Sequence, residues 1–127
     1  VKHRQWFRPF SPSILREHVR DWFTRDIDSP YMSFAIPFIK EKIDLVPAVV
    51  HFDGSARLQT VTKNDNEWYY NLISTFYKKT NVPILLNTSF NDREPIVETP
   101  ENAIKCFLGT DIDFLYFRDY KILVTRL

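Results

Sequence analysis

An apolar run, Val82 to Leu86, follows directly on a stretch whose apolar residues recur at helical spacing. That juxtaposition limits the folds open to the chain more than any other feature. Tyr69, Leu72, Ile73 and Phe76 stand at i, i+3, i+4 and i+7, which predicts a helix over Asn66 to Lys79 with one buried face. Asn64 or Asp65 is placed to cap its start, and Lys78 and Lys79 suit the negative end of its dipole. The run Val82–Leu86 is too short for a helix of its own and reads as a buried strand. "ARLQTVT", Ala56 to Thr62, reads as a strand before the helix. A strand–helix–strand unit with further strands around it predicts an α/β or α+β fold with a mixed sheet and packed helices.

The remaining segments extend this reading. Ile14 to Phe23 can form a short helix, with Ile14, Val19, Trp22 and Phe23 as its apolar stripe. "YMSFAIPFI", Tyr31 to Ile39, reads as a strand that Pro37 places near an edge or bulge. Val46 to Asp53 reads as a strand that turns at Asp53-Gly54 into Ala56–Thr62, a hairpin. Thr99 caps a helix with Pro100 at its first position. Its buried face is expected from Ala103, Ile104, Phe107 and Leu108, and Gly109 stops it. Phe114–Phe117 and Lys121–Val124 read as closing strands around a turn at Arg118–Tyr120. Nothing between residues 1 and 127 resembles a linker or a repeat, so a single domain is expected.

Composition excludes several classes. With 44% hydrophobic residues and 16% aromatics, the chain has ample material for a core and is not a disordered segment. A net charge of +1 argues against a broad nucleic-acid-binding face. The single cysteine, Cys106, rules out a disulfide framework within the chain and suits a reducing, cytoplasmic setting. No apolar run reaches the roughly 18 residues of a membrane-spanning helix. Two glycines leave no room for a P-loop or a GxGxxG turn, so a bound nucleotide must be held by side chains. The chain opens on valine and carries functional-looking residues from Lys2 onward, so it is expected to be a piece of a longer protein.

Three constellations carry candidate chemistry. In "VKHRQWFRPF", Lys2, Arg4 and Arg8 share one face if the segment is extended, and such a cationic row suits phosphate or carboxylate. A solvated terminus fits the same residues. In "HFDGSARLQT", the Asp53-Gly54 turn can aim backbone N–H groups at an anion, with Arg57 just beyond, and an ordinary exposed turn fits equally. His51 has no partner at metal-ligand spacing, so no metal ligand is expected there. In "NVPILLNTSFND", alternation puts Asn87, Ser89 and Asn91 on one side of the chain, past the carboxyl end of a buried strand. Three short hydrogen-bonding groups there can read the polar atoms of a ligand, or they can cap the strand as a turn.

Taken in order, "KHRQWFRPFSPSIL", "SPYMSF", "VPAVVHFDGSARLQTV", "VPILLNTSFN" and "EPIVETPENAIKCF" resemble the C-terminal, YrdC-like domain of the NodU/TobZ carbamoyltransferase family, from Lys2 to about Asp119. The YrdC signature, Lys-x-Arg followed by Ser-x-Asn, matches Lys2-His3-Arg4 and Ser89-Phe90-Asn91. The resemblance implies a YrdC-like open twisted sheet. It also implies an activating domain that makes carbamoyl adenylate from carbamoyl phosphate and ATP with Mg2+. A separate N-terminal, metal-binding domain of the same protein would then pass the carbamoyl group to an acceptor hydroxyl, so this chain alone is not expected to complete the transfer. On this view Arg57, Lys2 and Arg4 are the catalytic cations. Arg8, Asn87, Ser89 and Asn91 hold nucleotide and carbamoyl group. Where some relatives carry glycine before Glu94-Pro95, this chain has Asp92-Arg93, so a shorter or stiffer loop is expected. The alternative function is a YrdC-like module that binds nucleotide or RNA without chemistry.

Overall fold

Ser11–Leu15 carries residues expected to open a helix, yet it is the central strand of a sheet. The computed structural model describes residues 9–92 and 94–126. They fall into two compact units, one over Pro9–Thr88 and one over the described residues from Ser89 onward. In the first, β1 (Ser11–Leu15) is followed by a single 3-10 turn and a four-residue helix α1 (Val19–Trp22). Strand geometry prevails because adjacent residues of β1 are buried on opposite faces. Ile14 joins Val19, Trp22, Phe23 and Leu58 in one cluster, whereas Leu15 joins Val61 and Ile73 in another. Only a period of two serves two cores at once.

The strands β4 (Gln59–Val61) and β5 (Ile84–Asn87) flank β1, with β4 parallel to it and β5 antiparallel. The register sets Ser13 opposite both Gln59 and Leu85, and Ser11 opposite Asn87. Because β4 pairs with Ser13–Leu15, Pro12 lies where, among the described residues, β1 has a neighbour on one side alone, a position at which a sheet tolerates proline. Between β4 and β5 runs α2 (Glu67–Thr80). The expected strand–helix–strand unit is therefore present, but it steps over β1 and reverses direction.

Asn66, rather than Asn64 or Asp65, caps α2, accepting from the Tyr69 N–H at 3.0 Å. Asp65 instead accepts from the Thr62 hydroxyl at 2.6 Å and closes the preceding turn. The helix ends at Asn81 in the left-handed region, φ 61°. Its buried face is rotated from the expected one. Ile73 is fully buried with Tyr69, Tyr70 and Tyr77 around it, and Leu72 and Phe76 face solvent.

The expected Val46–Asp53 strand is absent. Pro47–Val49 forms a 3-10 helix after another over Lys40–Leu45. Val46 and Val49 are both buried, three residues apart, which is the repeat of a 3-10 turn rather than of a strand. The turn at Asp53-Gly54 does form, with Gly54 at φ 79° and the His51 N–H donating to the Ser55 carbonyl at 2.7 Å. It leads into β3 (Ser55–Arg57), which pairs with β2 (Ala35–Pro37).

In the second unit α3 (Pro100–Leu108) begins at Thr99, whose hydroxyl accepts from the Asn102 N–H, and ends at Gly109. Ala103, Cys106 and Phe107 are its buried residues, and Ile104 and Leu108 are exposed. Strands β6 (Phe114–Phe117) and β7 (Ile122–Thr125) form the expected antiparallel pair. Arg126 then donates to the carbonyls of Phe107, Thr110 and Ile112 and lies 5.1 Å from the centre of the Phe107 ring. The cation sits at the negative, carbonyl-rich end of α3.

Ile73 is 0% exposed and its side chain joins α2 to β1 and β4. Ile73→Ala should therefore cost about 2–5 kcal/mol. In urea unfolding the midpoint should fall while the slope is kept.

Candidate functional site

One face of the β4–β1–β5 sheet is divided in two. Leu15, Val61 and Leu85 make its apolar half, with Ile73 of α2 against it. Two residues away along each strand, on the same face, come Ser13, Gln59 and Asn87. Here the side chains are linked. The Gln59 side-chain nitrogen donates to the Pro30 carbonyl at 3.1 Å. Its oxygen accepts from the Ser13 hydroxyl at 2.7 Å and from the Asn87 amide at 2.8 Å. Gln59 and Asn87 meet across β1 because Ser13, between them, is small and fully buried. Beside Gln59 a hollow of about 290 Å³ opens, with Tyr31, Thr60, Asn66 and Tyr69 among its walls. Burial holds the Tyr69 phenol above its ordinary pKa.

Arg57 precedes this group by two residues. Ala56 and Leu58 both enter the first hydrophobic cluster, so Arg57 and Gln59 alternate to the other side of the chain. Arg57 is exposed, and no described carboxylate pairs with it.

The Asp53 carboxylate is occupied within its own turn. It accepts from the Ser55 hydroxyl at 2.7 Å and from the Ser55 N–H at 3.0 Å. These bonds, the hydroxyl first, hold Asp53 below the usual aspartate range. His51 Nδ1 lies 3.5 Å from the same hydroxyl. With its proton directed to Asp53, Ser55 is a turn lock and not a nucleophile activated by histidine.

In the second unit the Ser89 hydroxyl donates to Asn91 Oδ1 at 2.6 Å, and Asn91 Nδ2 donates to the Glu94 carbonyl at 2.8 Å. A separate hollow of about 340 Å³ lies between Glu94–Glu98 and α3, with Asn102 and Lys105 on its wall. Asn87 thus belongs to one unit and the Ser89–Asn91 pair to the other. Lys2, Arg4 and Arg8 lie outside the described residues. Among the described residues no cluster of three or more His, Cys, Asp or Glu side chains could hold a metal ion. No helix among them is long and apolar enough to cross a membrane. Of the group in the first unit, Ser13 and Tyr69 carry no sequence signal as site residues. Gln59 is visible only as one polar residue within "HFDGSARLQT".

Comparison with known proteins adds independent information. The family described as "Carbamoyltransferase C-terminus" matches residues 1–124. Nodulation protein NolNO of Sinorhizobium fredii is 47% identical over 127 residues, covering 96% of this chain and 18% of that protein. Nodulation protein NolO of Bradyrhizobium diazoefficiens is 45% identical over 121 residues, covering 91% of this chain and 22% of that protein. Nodulation protein U of Rhizobium tropici is 42% identical over 91 residues, covering 72% of this chain and 16% of that protein. The chain thus spans roughly a fifth of the length of these relatives.

The wiring of the Asp53 turn is open to direct test. A carboxylate with a depressed pKa favours the folded state above the ordinary aspartate range, and that contribution disappears as pH falls through the depressed value. In an NMR titration of the side-chain carboxyls, Asp53 should titrate below ordinary aspartates. Ser55→Ala should shift its midpoint upward.

Proposed function

Because the chain belongs to the carbamoyltransferase C-terminus family, we propose that it is the carbamoyl-activating part of an O-carbamoyltransferase. It takes carbamoyl phosphate and ATP, with Mg2+ accompanying the nucleotide: water cleaves carbamoyl phosphate to carbamate and phosphate, and the carbamate oxygen attacks the ATP α-phosphate, forming carbamoyl adenylate and releasing pyrophosphate. Transfer to an acceptor hydroxyl belongs to the part of the polypeptide corresponding to the four-fifths of the relatives that lies outside the match, an N-terminal, metal-binding domain. We assign the protein to the cytoplasm and give it no role in nucleic-acid binding.

One observation carries this reading: an exposed guanidinium, Arg57, stands two residues from a hydrogen-bonded group of small polar side chains. Both donor substrates carry phosphate, and a guanidinium forks two N–H groups to paired oxygens. Asn87 offers an amide to the small carbamoyl group. The polar half-face and its neighbouring hollow suit a small, strongly polar ligand better than an apolar one. ATP, as the second substrate, supplies the adenylyl group and the driving force. Of the chain's own residues, Arg57 neutralises phosphate charge as it shifts, and Asn87 orients the carbamoyl end. By the family resemblance Lys2, Arg4 and Arg8 supply further cations, and Ser89 and Asn91, in the other unit, offer hydrogen-bonding groups of their own.

Arg57→Ala in the protein that carries both parts separates the two steps. Loss of one charge-assisted contact of this kind costs about 2–4 kcal/mol of transition-state stabilisation. ATP-dependent formation of carbamoyl adenylate should fall some ~30- to 1000-fold. Carbamoylation of the acceptor from supplied carbamoyl adenylate should persist. Equal loss in both assays, or loss in neither, would remove Arg57 from the activating step.

A further inference from the structure

The hydrogen bonds around Gln59 have a fixed direction, and that direction reaches Asn87. A backbone carbonyl can only accept, so the end of the Gln59 amide that faces Pro30 must be its NH2 group. Gln59 Oε1 then faces Ser13 and Asn87, and it too can only accept. The Ser13 hydroxyl and the Asn87 side chain must both donate to it, at 2.7 and 2.8 Å. The Asn87 Nδ2 group also lies 3.8 Å from Met32 Sδ. Asn87 therefore has its NH2 group turned inward. Its carbonyl oxygen, on a half-buried residue, receives no donor from any described residue. An asparagine is normally free to present either end of its amide, and this one is not.

We propose that Gln59 is a positioning residue that holds Asn87 as a hydrogen-bond acceptor, so that the site takes the N–H end of a carbamoyl group and rejects an oxygen or methyl in its place. This rests on the functional reading above and gives it a specificity element. A carbamoyl group differs from an acetyl group only in bearing an amino group where acetyl bears a methyl. An oriented acceptor separates the two, because the methyl leaves Asn87 Oδ1 desolvated and unpaired. The same acceptor repels phosphate oxygens, so the phosphate end of the ligand is directed elsewhere, toward a cation such as Arg57.

The test compares carbamoyl phosphate with acetyl phosphate as ligands of the protein, by calorimetric or NMR titration. The native protein should prefer carbamoyl phosphate about tenfold or more. Gln59→Met keeps the length of the side chain but removes both its donor and its acceptor, and should collapse that preference toward one. A purely structural role for Gln59 would instead weaken both ligands together and leave their ratio alone. A second arm needs neither ligand nor folded variant. In the free native protein the Asn87 side-chain NH2 protons should exchange with solvent more slowly than those of exposed Asn64 and Asn71. Unprotected Asn87 protons would overturn the relay. Equal binding of the two phosphates by the native protein would overturn the proposal and spare the functional reading. Binding of neither would overturn both.

Discussion

Burial of one short strand on both faces organises everything between Pro9 and Thr88. In β1, Ile14 and Leu15 serve different hydrophobic clusters, and each is essentially removed from water. A helix at this point could have presented only one stripe to one core. The two-sided demand accounts for the strand, for the parallel neighbour on one side and the antiparallel neighbour on the other, and for the short length of α1. It also sets the position of α2, which covers Leu15 through Ile73 and leaves the residue two places along each strand on that face, Ser13, Gln59 and Asn87, outside that apolar cluster.

The polar group at Ser13, Gln59 and Asn87 is thus a consequence of how the face is shared. The apolar half is closed by α2, and the polar half must satisfy itself. Gln59 does so by spanning β1, and the direction of its hydrogen bonds is imposed from outside the sheet by the carbonyl of Pro30. A half-buried amide whose polarity is set by backbone is a stiffer element than the same amide in solvent, since reversing it would set donor against donor. Such stiffness suits a site that must distinguish one small polar group from another of nearly the same shape.

The unit that begins at Ser89 is organised differently. Among the described residues its two strands pair with each other, and the closing residue Arg126 ties the end of β7 to three carbonyls at and beyond the end of α3. The Ser89 and Asn91 side chains close a local turn with each other and with the Glu94 carbonyl. The carbamoyltransferase family runs through both units, since its match spans residues 1–124. Belonging to the family therefore does not depend on either unit alone.

Several features were legible in the sequence because they depend on neighbours along the chain. The helix after "TKNDN", the Thr99–Pro100 start of α3, the Asp53-Gly54 turn and the closing pair of strands all follow from caps, turn residues and spacing. The blocks shared with carbamoyltransferases were equally visible, being strings of residues. Where two local patterns competed, the tertiary structure decided. Ile14 and Leu15 became strand because two cores required them. Val46 to Asp53 lost its strand because β3 pairs with β2. The buried face of α2 turned toward Ile73 and the tyrosines because β1 and β4 lie there. The contact between Gln59 and Asn87, 28 residues apart, had no local signal at all. It exists through strand register, and register is set by which residues are buried on each side of a sheet, a property of the assembled layers and not of any one segment.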